Sequence, residues 1–308
     1  MRPSYHPWLV LLLALVIRGS GLWLGLESLS DDPDAYAKLA VNWSQSGVLG
    51  EVAAGVSIRP TAYRPPLYPW LLSWLVTAGS LPIGSVALLH LVLGVATVWL
   101  TWSIAHALGQ PLAWLPAAAV AVDPLLLRAS QLVMTETLAA FLAVLAWRMW
   151  LAVWPPRERA TRDADGTGDR GRTQWLALLA LGLVWGLSVL ARPTAAPWVV
   201  LCLLGLCFCG RLAWRQRLAD CGWLTLIVLC CITPWTWRNY RTFGQPIWAT
   251  THGGYTLLLA NNPLLFQHFS ASGPSRNWDA APFHAAWARR HGTQTGDPAT
   301  RDYWLAPS

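Results

Sequence analysis

The sequence predicts an all-α, polytopic membrane protein of about seven transmembrane helices, with interfacial helices in its first external loop. Three observations carry that prediction. First, the 308 residues are 55% hydrophobic and only 12% charged, whereas a soluble domain carries about 25% charged residues. So little polar surface cannot cover a water-facing body, and the mean hydropathy of +0.38 agrees. Second, the 22 Trp residues suit the headgroup level of a bilayer, where an amphipathic indole is favoured. Third, arginines gather in short loops between apolar runs, which is a signal of topology. The net charge of +7 is therefore not read as nucleic-acid binding.

The spans follow in order. Apolar runs occupy residues 8–26, 86–108, 112–127, 137–154, 175–190, 195–212 and 221–237, several of them near the lower length limit of about 17 residues. Trp8–Leu26 is longer than the apolar core of a signal peptide and lacks a small-x-small exit, so it reads as the first transmembrane helix. Leu67–Leu81 is shorter, with Pro65, Pro66 and Pro69 in front and Pro82 behind. That suits an interfacial or re-entrant helix.

Arg157, Arg159, Arg162, Arg170 and Arg172 share one loop and Arg211, Arg215 and Arg217 another. Both belong in the cytoplasm by the positive-inside rule. Seven spans with Arg2 inside place the Asp31–Asp34 segment outside. Eight spans with an external N-terminus keep both arginine loops inside but move the acidic segment to the cytoplasm. Seven is preferred, because the eighth run is short and proline-bounded. Residues 155–174 read as a solvated linker, lacking the spacing and closing Glu of an EF-hand. All 6 Cys lie in or beside late apolar runs without a CxxC pair, as small buried hydrophobes do. Residues 1–265 form the membrane region and 266–308 a polar external tail.

On this topology the outer face collects the residues able to do chemistry. A carboxylate at the water–lipid boundary can bind a divalent cation or take a proton from a hydroxyl. Asp32 and Asp34 are the candidates, with Tyr36 one helical turn after Asp32; equally, Asp32-Pro33 can start a turn and Asp34 can cap the helix beginning at Ala35. Arg64, stiffened by the prolines after it, can fork onto phosphate oxygens or snorkel to the headgroups. Glu136 stands at a helix N-terminus, where the dipole favours negative charge, on the same side as the aspartates. Arg192 and Arg238 end helices on that face. Arg18 falls inside the first apolar run and so faces the protein interior or a cavity. His90 and His106 read as packing or hydrogen-bonded residues. His252-Gly253-Gly254-Tyr255 and Asn261-Asn262-Pro263 form an outer loop able to hold a sugar or merely to turn.

Taken in order, Asp32-Pro33-Asp34-Ala35-Tyr36, Leu39-Ala40, Gly47, Arg64-Pro65-Pro66-Leu67-Tyr68-Pro69, Asp123-Pro124, Ser130 and Thr135-Glu136 form one half of a pattern. Arg192-Pro193, Pro234-Trp235, Arg238-Asn239-Tyr240, Gly244, Gly253-Gly254 and Asn261-Asn262-Pro263 form the other. Over roughly residues 8–265 the pattern resembles the bacterial GT-C membrane glycosyltransferases, in the branch of protein O-mannosyltransferase-like and aminoarabinose-transferase-like enzymes. The resemblance implies an inner-membrane enzyme that moves a sugar from a polyprenyl-phosphate donor to a hydroxyl of a lipid, glycan or protein acceptor on the periplasmic face, with inversion. It implies Asp32 or Asp34 as catalytic carboxylate, with Glu136 at a second acidic position. Arg64, Arg192 and Arg238 would contact the lipid phosphate, and Tyr36, Tyr68, Asn239 and Asn262 would line the substrate site. A divalent metal is compatible with the family, with Asp32 and Asp34 as its ligands. Such enzymes usually continue through several more membrane helices, so the chain reads as a short or truncated member, or one completed by a partner. Two other readings stand beside this one: a transporter or flippase for a lipid-linked substrate, which should show an inverted repeat, and an inactive remnant.

Overall fold

A computed structural model of the chain describes residues 7–52, 58–154, 172–209, 213–272 and 278–291. The arginine-rich linker 155–171, Arg211 and the end of the tail, 292–308, lie outside the described residues. What is described is mostly helical. The helices are α1 (Pro7–Leu24), α2 (Tyr36–Ser46), α3 (Leu67–Ser73), α4 (Ile83–Ala107), α5 (Trp114–Val122), α6 (Pro124–Ser130) and α7 (Glu136–Val153). They continue with α8 (Arg172–Ala191), α9 (Ala196–Cys209), α10 (Trp214–Phe243), α11 (His252–Ala260), α12 (Pro263–Ser272) and α13 (Ala281–His291).

Among the described residues three helices are long and apolar enough to cross a membrane: α4 with 25 residues, α7 with 18 and α10 with 30. Trp8–Leu24, Trp175–Ala191 and Pro193–Phe208 are shorter apolar helices. The outward surface agrees with a lipid setting, since Leu24 is 85% exposed and Trp8, Trp23, Phe208 and Trp214 also face outward. These apolar helices suggest membrane association.

The helices form a row of neighbours: α1 and α5 pack on α4, α4 on α7, α7 on α8, α8 on α10, and α10 on α9. Small residues let them approach. Ala14, Ala117 and Ala121 are wholly buried between α1, α4 and α5. On α8, Gly182 and Gly186 lie four apart, and a Cβ at Gly186 would fall 2.5 Å from the Cβ of Cys231 on α10. Such small-xxx-small faces favour close helix crossing in a bilayer.

The helix expected over 112–127 is interrupted. α5 ends at Val122 after 9 residues, because Pro124 cannot continue its hydrogen-bond ladder. Asp123 instead caps α6, accepting the Leu126 N–H at 2.8 Å. Arg18 is not free charge inside α1: its guanidinium donates to the Val120 carbonyl at 2.7 Å, in the last turn of α5. That carbonyl is one of those a helix end leaves unmatched.

The long connection from α1 to α4 places the site. A 3-10 turn, Leu26–Ser30, leads to α2, then to an antiparallel hairpin of β1 (Gly50–Val52) and β2 (Ile58–Pro60), then to α3. The hairpin departs from the all-α expectation. Gly50 makes its close pairing feasible, since a Cβ there would collide with the Arg59 carbonyl. The short helix α3 stands where the apolar run Leu67–Leu81 predicts an interfacial segment. It has 7 residues and gives way to a turn with Ala78 and Gly79 at positive φ.

Candidate functional site

Asp32 and Asp34 of the first loop have different partners. Asp32 accepts the Ala37 and Lys38 backbone N–H groups on its two carboxylate oxygens, at 3.1 and 3.0 Å. It is Asp32, not Asp34, that caps α2, matching donors the first helical turn leaves open. Ala35, directly after Asp34 and before α2, sits in the left-handed region at φ 61°, a conformation that costs a residue with a Cβ about 1–2 kcal/mol. Just before this bend Asp34 meets Arg64. Its Oδ1 lies 2.5 Å from the guanidinium, and its backbone carbonyl accepts the Arg64 Nε–H at 3.1 Å. The guanidinium also lies over the Tyr63 ring at 4.7 Å and the Tyr36 ring at 5.5 Å, within reach of a cation–π attraction. Arg64 is almost closed off, whereas the Asp34 side chain keeps 25% of its surface exposed.

A second pair stands close by. Arg192, after α8, donates to Glu136 Oε1 at 2.9 Å. The other oxygen, Oε2, is buried and finds no hydrogen-bond partner among the described residues, as does the neighbouring Thr137 hydroxyl. Buried carboxylate oxygens rarely stay unmatched, so this one marks where a donor from a ligand would be welcome.

Tyr36 joins the two pairs. It shares a hydrogen bond with Thr135, the residue before Glu136, and feels the charges of Arg64, Asp34 and Arg192. Burial pushes its hydroxyl up to about 12, with Arg64 pulling the other way. Tyr36 is therefore a neutral hydrogen-bonding group near neutral pH. Behind it, Tyr68 packs edge-on at 5.3 Å and is wholly buried, so it supports the site from beneath. Its hydroxyl is 2.7 Å from His90 Nε2, and His90 Nδ1 is 2.7 Å from the Ser130 carbonyl. A carbonyl can only accept, so Nδ1 carries the proton, Nε2 accepts, and Tyr68 donates. Burial, with Tyr36, Asp32 and Glu136 adding to it, moves the Tyr68 hydroxyl far above its ordinary range.

His252, which opens α11, completes the group. The Thr251 N–H donates to the Ala62 carbonyl at 3.1 Å, fixing the start of the helix against the segment that carries Arg64. The imidazole stands edge-on to Tyr63 at 4.8 Å. Burial first, then Arg64 and Arg192, lower it to about 4 against the opposing pull of Asp34.

Three expected contributors lie elsewhere. Arg238 donates to the Thr61 and Leu49 carbonyls, each at 2.8 Å, and to Asn239 Oδ1 at 2.9 Å. Its guanidinium lies over the Trp235 and Phe243 rings. Asn239, wholly buried, also donates to the Ile247 carbonyl at 2.8 Å. Asn262 caps α12 by accepting the Leu265 N–H at 3.0 Å and donating to Leu258 and Leu259 carbonyls of α11. These side chains hold backbone together. Both Asp32 oxygens are taken by backbone N–H groups and Asp34 Oδ1 by Arg64. Among the described residues no group of three His, Cys, Asp or Glu could hold a metal.

Beside the charged group lies an apolar cavity of about 580 Å³. Leu49, Leu67, Trp70, Leu190, Pro234 and Trp235 line much of it, and Arg238 borders it. Pro66 and Leu67 form part of its wall, so one short segment carries both Arg64 and a side of the cavity. Compared with known protein families, curated proteins and solved structures, the chain finds no match.

Proposed function

We propose that this chain is a membrane glycosyltransferase of the GT-C kind, acting on a polyprenyl-phosphate sugar at the periplasmic face of the inner membrane. It would have about seven spans and an external first loop. One observation carries the reading: the Asp34–Arg64 and Glu136–Arg192 pairs meet around Tyr36 and His252. Two guanidiniums suit a phosphodiester, and two carboxylates beside them suit a hydroxyl that must lose its proton.

In the reaction, the donor phosphate takes over the Arg64 and Arg192 guanidiniums and frees their carboxylates. A freed carboxylate removes the acceptor proton while the acceptor oxygen attacks the anomeric carbon. The bond from that carbon to the phosphate oxygen breaks, and the lipid phosphate leaves with its electron pair against the arginines. A single displacement inverts the anomeric centre. Between Asp32 and Asp34, geometry supports Asp34, since both Asp32 oxygens already serve α2. Glu136, with one oxygen unmatched, is the second candidate. Tyr36 would orient the donor, and the apolar cavity suits the isoprenoid chain. A lipid, a glycan and a protein acceptor present the same chemistry here, because the carboxylates recognise the hydroxyl.

The test is transfer in membranes. Membranes containing the full chain should move a labelled sugar from a polyprenyl-phosphate donor to an added acceptor, whereas membranes lacking it should not. A cysteine introduced at Asp31 should react with an impermeant thiol reagent in intact cells. No transfer with any such donor, or labelling only after the cells are opened, would defeat the reading.

A further inference from the structure

We propose that His252 takes up a proton when a phosphodiester binds between Arg64 and Arg192, and so adjusts the charge of the site to its ligand. This rests on the phosphate reading above and goes beyond it. Asp34, Arg64, Glu136 and Arg192 cancel in two pairs. With a neutral imidazole the group carries no net charge and offers an anion little long-range attraction. A phosphodiester that captures both guanidiniums must also leave Asp34 and Glu136 without their partners. The bound site is then negative, and a proton on a nearby base offsets that charge.

The geometry makes His252 that base. Its ring and the Arg64 guanidinium contact the same Tyr63 ring, at 4.8 and 4.7 Å. The charged groups acting on it are Arg64, Asp34 and Arg192, the groups a bound phosphate would rearrange. In the free protein the two arginines and burial hold the imidazole neutral, down to about 4. A phosphate covering the guanidiniums cancels their repulsion and adds an attraction, so the proton affinity rises on binding. By linkage, binding then takes up a proton from solvent wherever the pH lies between the free and bound values. Across that window affinity must fall as pH rises.

The experiment uses the full chain in lipid nanodiscs and diethyl phosphate, a soluble phosphodiester whose single charge does not change near neutrality. Wild-type affinity should fall by up to about tenfold per pH unit as the pH rises above about 4, until the imidazole of the bound form also loses its proton. Calorimetry in two buffers of different protonation enthalpy should show proton uptake on binding. His252→Gln should bind with a flat pH profile. Binding by the wild type without pH dependence, or the same dependence in His252→Gln, would overturn the proposal while leaving the phosphate site standing. No binding at any pH would overturn both. Should His252→Gln fail to fold, histidine-selective NMR of the wild type decides: an imidazole titration that moves to higher pH with diethyl phosphate supports the proposal, and none that moves overturns it.

Discussion

Arg64 and Arg238 invite the same interpretation from sequence, since each sits beside aromatic and proline residues, but the fold gives them opposite partners. Arg64 faces a carboxylate that is partly open to its surroundings. Arg238 faces the carbonyls of Leu49 and Thr61 at the base of the β1–β2 hairpin. Both guanidiniums lie on aromatic rings, so stacking does not separate them. What separates them is who accepts the hydrogen bonds. A carboxylate can be exchanged for a phosphate, because both are mobile anions of similar geometry. Two backbone carbonyls fixed in a hairpin cannot be exchanged without opening the hairpin.

The sharpest way to break this comparison is to remove the charge facing Arg64. Asp34→Asn should lower sugar transfer by about 100-fold or more, the range expected when a positioned base is lost. Thermal stability should change much less, because a partly exposed ion pair is worth about 1 kcal/mol or less. Initial rates and a melting curve on the same detergent preparation check both halves. Full activity in Asp34→Asn would move the base to Glu136 or remove the enzyme reading.

At Arg238 the order of effects should reverse. Arg238→Leu leaves the Leu49 and Thr61 carbonyls short of a charged donor in a half-buried setting. Losing bonds of that kind costs about 3 kcal/mol. The melting temperature of Arg238→Leu should therefore fall well below that of Arg64→Leu, and Arg238→Lys should not restore it, since an ammonium cannot reproduce the planar fork. Equal melting temperatures for the Arg64 and Arg238 variants would erase the distinction between an exchangeable guanidinium and a fixed one.

Much of this arrangement can be read in the chain before folding, and the remainder fails for identifiable reasons. Long apolar runs mark the places of α4, α7 and α10 because helix length in a bilayer is set by thickness. Asp123-Pro124 signals a helix break, yet the apolar residues on both sides hide it in any reading by hydropathy. The hairpin strands are 3 residues each, too short for an alternating pattern. Tyr68 and His90 are 22 positions apart, and no spacing rule joins a tyrosine of the short helix α3 to a histidine within the apolar helix α4. His252 reads only as part of a loop able to hold a sugar or merely to turn, because its neighbours Arg64 and Arg192 arrive only through tertiary packing. The choice between Asp32 and Asp34 depends on a left-handed Ala35, a conformation that a residue other than glycine does not announce.

That choice supplies the smallest expected effect and the finest test. Asp32→Ala removes the acceptor for two N–H groups of α2, and loss of such a cap costs about 1 kcal/mol. The melting temperature should drop slightly, and transfer should fall far less than in Asp34→Asn. Asp32→Asn should be milder still, since an amide oxygen can keep one of the two bonds. Cap and base thus differ in how they respond to an isosteric change. A cap tolerates the exchange of carboxylate for amide because one oxygen remains to accept; a base does not, because the amide cannot take a proton. Measuring both asparagine variants against both alanine variants assigns the two roles without reference to absolute rates. If Asp32→Asn silenced transfer while Asp34→Asn did not, the roles of the two carboxylates would exchange, and the pairing with Arg64 would be a structural tie like that of Arg238.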